Sequence, residues 1–355
     1  MKRRIVLEAI LLGATILLLA VCMYNYYSQP SSSETDTKDV EVLTYDDPNM
    51  LGLAITEDGQ RIIDAVDLTQ YGRYQYSEGV VEPIIEVFRS RTPKEIDLSA
   101  VVTECTLSEK HYDTGDAYVL TPEDRGNSDL TILYIHGGAY LLDLPESEIS
   151  KYDKLAQDSH AQVYVPDYQP IFLGTYEEAY ELILEVYRDI RPQTKNLAIV
   201  GTSAGGGLAL GFVEYLNEIG EPIPEKMLLL CPWIDATMSN PDIEKYEERD
   251  RLLGPHGLRL LGALWAGDTD PSDYRISPIN GDFSKPMPET LIMIGTEEIM
   301  YPDNMLLYKK LLDNGHDVRI LIGEGLFHVF MFNSIPEGEK AMEISVQFLL
   351  GEELG

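Results

Sequence analysis

From about residue 100 onward the apolar residues fall in short dense runs. They are Leu130-Thr-Ile-Leu-Tyr-Ile135, Gln162-Val-Tyr-Val165, Leu197-Ala-Ile-Val200, Met227-Leu-Leu-Leu230, Leu291-Ile-Met-Ile294 and Val318-Arg-Ile-Leu-Ile322. Runs that are apolar on both faces suit the strands of a parallel sheet covered on both sides. Between them the spacing changes to a helical period over residues 175–190, 204–219, 303–314 and 337–350. Strand alternating with helix predicts an α/β doubly wound architecture, a central mostly parallel sheet with helices on both faces. Ahead of it, Val101-Val102 and Ala117-Tyr-Val-Leu120 predict strands. Residues 50–95 predict mostly helix, from Ile62, Ile63 and Val66 and then Val80, Val81, Ile84, Ile85, Val87 and Phe88. Residues 240–270 lack a strand run but carry Leu252, Leu253, Leu258, Leu260, Leu261 and Trp265, which predicts a helical insertion forming part of a cap.

The N-terminus has its own pattern. Met1-Lys-Arg-Arg4 precedes an apolar run from Ile5 to Tyr24 that is broken only by Glu8. The uncharged stretch Ala9–Met23 would cover ~22 Å as a helix, and adding Ile5–Leu7 and Tyr24 makes a membrane span feasible. Basic residues before the run keep the N-terminus cytoplasmic and put the body outside the cell membrane. We favour an uncleaved signal anchor. A cleaved signal peptide is a second reading, and lipid attachment at Cys22, in Leu19-Ala-Val-Cys22, is a third. The polar stretch after Ser28 reads as a flexible tether. The expected organisation is therefore an anchor over 1–27, a linker over 28–45, and one α/β domain over 46–355 with cap elements at about 46–98 and 238–270.

The 355 residues are 44% hydrophobic, enough for a large core. The net charge is −33, and the basic N-terminal cluster lies outside the body. Such a body repels nucleic acid and anionic headgroups, so neither is an expected partner. Cys22, Cys105 and Cys231 form no disulfide framework and no CxxC pair.

Gly201-Thr-Ser-Ala-Gly205 directly follows the Leu197–Val200 strand and precedes a helix, the context a G-x-S-x-G nucleophile turn requires. A serine at so sharp a turn stands above the sheet edge, with glycines where strand and helix pass too close for a Cβ. The helix end behind Ser203 offers free N–H groups and a positive dipole end to an anion. The alternative for Ser203 is a simple helix cap. His136-Gly-Gly-Ala-Tyr140 follows the Leu130–Ile135 strand, and the N–H groups of Gly137 and Gly138, with that of Ala204, are placed to form an oxyanion hole. His136 itself is expected to brace that loop.

The chain order serine, acid, histidine sets aside His111, His136 and His160. Of the others, His256 falls in the insertion, His316 in a turn before the last strand, and His328 in the loop after it, Gly325-Leu-Phe-His-Val-Phe330, which makes His328 the expected base. The acid comes from the segment after Leu291–Ile294, where Glu298 and Asp303 both stand; Asp303 also reads as a first-turn acid of the next helix. Neither metal nor cofactor is expected.

These motifs resemble the hormone-sensitive-lipase-like branch of the α/β-hydrolases over roughly residues 100–350. Pro232-Trp-Ile-Asp235 and Ser277-Pro278 are similar to segments of the same branch. The resemblance implies an α/β-hydrolase fold with a helical cap and hydrolysis of carboxylic esters, often short-acyl ones, through an acyl-enzyme. It puts the catalytic histidine at His328 and the catalytic acid three residues after Gly295, at Glu298, where the family has Asp. Two further departures are Ala139 for the last glycine of the loop and Thr202 for the aspartate of the elbow. Neither removes the nucleophile or a hole donor. The expected substrate is a small-molecule ester. The alternatives are a binding or sensing protein with little turnover, separated from an enzyme by the completeness of the constellation, and an amidase or peptidase using the same triad.

Overall fold

The computed structural model describes residues 40–65, 73–91 and 96–354, apart from Ser99, Asn127 and Pro145, together with Thr37. The strands are β1 (Val42–Thr44), β2 (Met50–Leu53), β3 (Thr106–Tyr112), β4 (Gly115–Thr121), β5 (Leu130–Ile135), β6 (Gln162–Pro166), β7 (Asn196–Thr202), β8 (Lys226–Leu230), β9 (Glu289–Gly295) and β10 (Val318–Gly323). The helices are α1 (Glu57–Ala65), α2 (Val81–Ser90), α3 (Glu146–Ser159), α4 (Tyr176–Ile190), α5 (Ala204–Ile219), α6 (Pro255–Ala266), α7 (Tyr301–Asp313) and α8 (Pro336–Leu350).

All ten strands form one sheet in the order β1-β2-β10-β9-β8-β7-β5-β6-β4-β3. Every pairing from β2 through β6 in that order is parallel, and only the outer pairings β1–β2, β6–β4 and β4–β3 are antiparallel. The apolar runs became its interior: all six residues of β5 are buried. Helices fill both faces because such strands have no face to give to water. Their C-terminal ends line one edge, where ligands of open α/β sheets bind.

Three sequence expectations are corrected. Residues 50–53 are not helical and not part of a cap. Met50-Leu-Gly-Leu53 is a strand paired with β10, and Val42–Thr44, given to the linker, pairs with it as β1. The run is too short for a helix, and it covers what would otherwise be the bare edge of β10. Val101-Val102 is not a strand, and Val102 is 91% exposed. The strand lies later, at β3, an edge strand with mostly polar, alternating exposure. Helix α3 was not anticipated. Its buried face (Ile149, Tyr152, Leu155, Ala156) follows helical spacing between many polar residues.

The 238–270 stretch holds a 3₁₀ turn, Pro241–Lys245, and α6. Gly257 of α6 lies so close to Tyr76 that a Cβ there would sit 2.7 Å from its ring. His256 Nε2 is 3.2 Å from Glu82 of α2. Among the described residues no helix is long and apolar enough to cross a membrane; the run 5–24, on which the anchor expectation rests, lies outside them, as does the linker up to residue 36.

Candidate active site

Ser203 sits between β7 and α5 with φ 54° and ψ −120°, a region L-residues rarely occupy. The surrounding bonds hold it there. Its N–H donates to the Leu230 carbonyl at 2.9 Å, and its own carbonyl accepts from the N–H groups of Gly206 (2.9 Å) and Trp233 (2.9 Å). The two flanking glycines are steric requirements. A Cβ on Gly201 would lie 2.4 Å from the Gly205 carbonyl oxygen, and one on Gly205 would lie 2.2 Å from the carbonyl oxygens of both Ile135 and His136. The Thr202 hydroxyl, which stands where the resembling family has an acid, is 2.5 Å from the Tyr134 hydroxyl.

His328 enters from the loop after β10. Its Nε2 is 2.9 Å from Ser203 Oγ, and its Nδ1 is 2.5 Å from Glu298 Oε2. Glu298 is fully buried, and its Oε1 accepts the Gly295 N–H at 2.9 Å. An ionised Glu298 can only accept, so Nδ1 carries the ring hydrogen and the Nε2 lone pair faces the serine hydroxyl. Three of the sequence-predicted residues are thus one hydrogen-bonded relay. The rival acid is not part of it. Asp303 is a first-turn acid of α7 whose Oδ1 accepts from Asn240 Nδ2 at 2.7 Å, and burial pushes its carboxyl up to about 6. Glu297 points away toward Arg249.

The loop after β5 runs directly beside the elbow: a Cβ on Gly137 would meet the Thr202 carbonyl oxygen at 2.9 Å and Ser203 Cβ at 3.2 Å. Ala204 opens α5, so its N–H has no partner within the helix. His136 braces the loop as expected. Its Nδ1 lies 2.8 Å from the Gly137 carbonyl, its ring stacks on Tyr168 at 4.2 Å, and Tyr168 donates its hydroxyl to the His136 carbonyl. Burial lowers its pKa to about 4, so the ring is neutral. Asp235 organises the Pro-Trp-Ile-Asp turn by accepting from the Thr237 and Ser239 N–H groups at 2.9 and 3.1 Å.

Sequence reasoning missed three contributors. Tyr140, at φ 58°, donates its hydroxyl to the Ala204 carbonyl at 2.9 Å and stacks on Trp265 of α6 at 4.3 Å, joining loop, elbow and insertion. Cys231 is buried and lies within 4.8 Å of the facing atoms of Glu298 and His328. Burial first, and the Glu298 carboxylate second, push its thiol far up, so it stays S–H. Its position directly after β8, at the sheet edge where the site forms, was the available signal. The third is Asp250, buried against the turn that carries Glu298, where it accepts the Ile299 N–H. Cys105 and Cys231 are both free.

Among the described residues two groups could approach one metal ion. Cys231, Glu298 and His328 are one, but there the relay already uses the imidazole and carboxylate. Glu109, His111 and Asp116, the other, lie on the exposed face of the β3–β4 hairpin.

Residues 132–332 match the model of a family described as alpha/beta hydrolase fold. The chain is 30% identical to an acetyl-hydrolase of Streptomyces hygroscopicus over 62% of its own length and 75% of that protein's. It is 29% identical to an esterase of Acinetobacter venetianus over 61% and 73%. The crystal structure of an esterase from the bacterial hormone-sensitive lipase family superposes with a TM-score of 0.66 at 21% identity, over 77% of this chain and 97% of that one. A hormone-sensitive lipase from a metagenome library does so at 0.66 and 22%, over 76% and 95%; both carry the fold. The chain belongs to the α/β-hydrolase fold family. Within that class it is a carboxylesterase-like hydrolase.

Proposed function

We propose that the chain hydrolyses short-acyl carboxylic esters, acetyl esters foremost, through an acyl-enzyme on Ser203. His328 takes the hydroxyl proton as Ser203 Oγ bonds to the ester carbonyl carbon. The N–H groups of Gly137, Gly138 and Ala204 hold the oxyanion, each donor being worth about 3–4 kcal/mol in such holes. Collapse of the tetrahedral species breaks the acyl–oxygen bond, and the His328 proton leaves with the alcohol. A water that gives its proton to His328 then attacks the acyl carbon; the acid departs and Ser203 is reprotonated. Glu298 orients the ring and stabilises its charge.

The observation that carries this reading is the 2.9 Å contact between the His328 Nε2 and a serine held in strained backbone, with Glu298 behind it. The acetyl preference leans on the Streptomyces relative, which is named an acetyl-hydrolase. The test is hydrolysis of nitrophenyl acetate, butyrate and octanoate, with Ser203→Ala as control and mass spectrometry for an acyl adduct on the Ser203 peptide. Equal turnover by wild type and control would favour binding or sensing; cleavage of anilides at rates matching the esters would favour an amidase.

We further propose that residues 5–24 anchor the chain in the cell membrane, with the hydrolase body outside. The basic cluster before the run supports this orientation. Mass spectrometry of the mature N-terminus tests it; a mature chain beginning at Cys22 would replace the anchor with a lipid attachment.

A further inference from the structure

Glu298 stands between Glu297 and Ile299 in the turn after β9, and one segment of the 238–270 insertion grips both neighbours. The Arg249 guanidinium forks onto the Glu297 carboxylate, with Nε 3.0 Å from Oε2 and Nη2 on Oε1. Asp250 is 2% exposed. Its Oδ2 accepts the Ile299 N–H at 2.8 Å, and its Oδ1 accepts the N–H groups of Leu252 and Leu253, each at 2.8 Å. The segment is itself fixed: the Asp250 N–H donates to Tyr246 and the Arg73 side chain to the Glu247 carbonyl.

Turns of this kind ordinarily use exposed aspartates. Here the carboxylate is buried, which costs solvation that only its three N–H donors offset. Its place, one residue's reach from Glu298, gives that burial a purpose. We propose that Arg249 and Asp250 form a clamp that sets the Glu298 carboxylate against His328, with Asp250 as a positioning residue; the inference rests on the hydrolytic reading above. The clamp makes the helical insertion part of the machinery, because a shift of residues 249–253 moves the turn that carries the acid. Burial raises the Asp250 carboxyl to about 6, its three N–H donors partly offsetting this. Around it lie Tyr76 and His328, and Arg73, Glu248, Arg249, Arg251 and Glu297 line the same cavity.

The test is Asp250→Asn. An amide offers one acceptor atom, so either Ile299 or the Leu252–Leu253 pair loses its partner and faces an NH2 group. With the fold verified by thermal melting, kcat for nitrophenyl acetate should fall about tenfold or more, with KM within about twofold, since a small displacement of the relay suffices. A purely structural role would lower the melting temperature and leave kcat of the folded protein in place. A folded D250N with wild-type kcat would overturn the clamp. Should D250N not fold, Arg249→Gln decides, its side chain being 46% exposed: lowered kcat at unchanged KM supports the clamp and wild-type kcat overturns it. Ser203→Ala separates the two layers. Turnover surviving in S203A defeats the hydrolytic reading, whereas an inactive S203A beside a fully active D250N defeats the clamp alone.

Discussion

Replacing Glu298 by glutamine should cost far more than the loss of one charge. The Glu298 Oε1 accepts the Gly295 N–H at 2.9 Å, and that bond fixes which end of the amide is oxygen. The glutamine NH2 then takes the Oε2 position, 2.5 Å from His328 Nδ1, and donates to it. Nδ1 becomes the acceptor, so the ring hydrogen moves to Nε2 and points at Ser203 Oγ. In that tautomer the ring cannot take the hydroxyl proton. Losing the correct tautomer in such a triad lowers kcat by about 10⁴, or ~5.5 kcal/mol of barrier. KM should change little, because Glu298 is buried behind the ring and away from the substrate. Steady-state hydrolysis of nitrophenyl acetate by wild type and E298Q, with melting curves to verify the fold, measures this. A kcat for E298Q within tenfold of wild type would refute the tautomer argument.

Asp303→Asn should leave kcat within about twofold, since the carboxylate bonds Asn240 and not the relay; a loss rivalling that of E298Q would move the acid assignment to Asp303. Gly205→Ala would push a Cβ to 2.2 Å from two backbone carbonyls, so the elbow should lose about 3 kcal/mol or more and melt well below wild type; an unchanged Tm would contradict this. Glu214 of α5 is buried with neither carboxylate oxygen hydrogen-bonded, and burial raises its pKa well above 4.5, with Lys310 only partly offsetting this. A carboxyl raised in the folded state gives stability that is intact below its unfolded pKa and lost as pH rises through the folded value. In urea unfolding, Glu214→Gln should therefore exceed wild type near about pH 8 and match it near about pH 4, and an advantage equal at both would be evidence against the raised carboxyl.

The sheet interior was legible because strands paired on both sides and covered on both faces must be apolar throughout, as Leu130–Ile135 and Met227–Leu230 are. Its antiparallel edges were not. β3 is a polar strand with one solvated face, and β2 finds its partner β10 some 270 residues away, which no local pattern announces. The relay was legible where chemistry leaves a local signature: Ser203 between two glycines, and His328 after the last strand. Glu298 needed the spacing from Gly295 to separate it from Asp303, and the Gly295 N–H bond to its carboxylate explains why that spacing matters. Asp250 leaves no such trace. Its partners are backbone N–H groups, one of them 49 residues distant, and any residue but proline supplies an N–H.

In spatial order β10 lies between β2, from the first decoded stretch of the body, and β9, and His328 follows it. While the ribosome is still reading the middle of the message, the emerging polypeptide owns its alcohol nucleophile but has yet to receive the imidazole that would arouse it. Decoding of the stretch that carries residue 328 is the event that arms it.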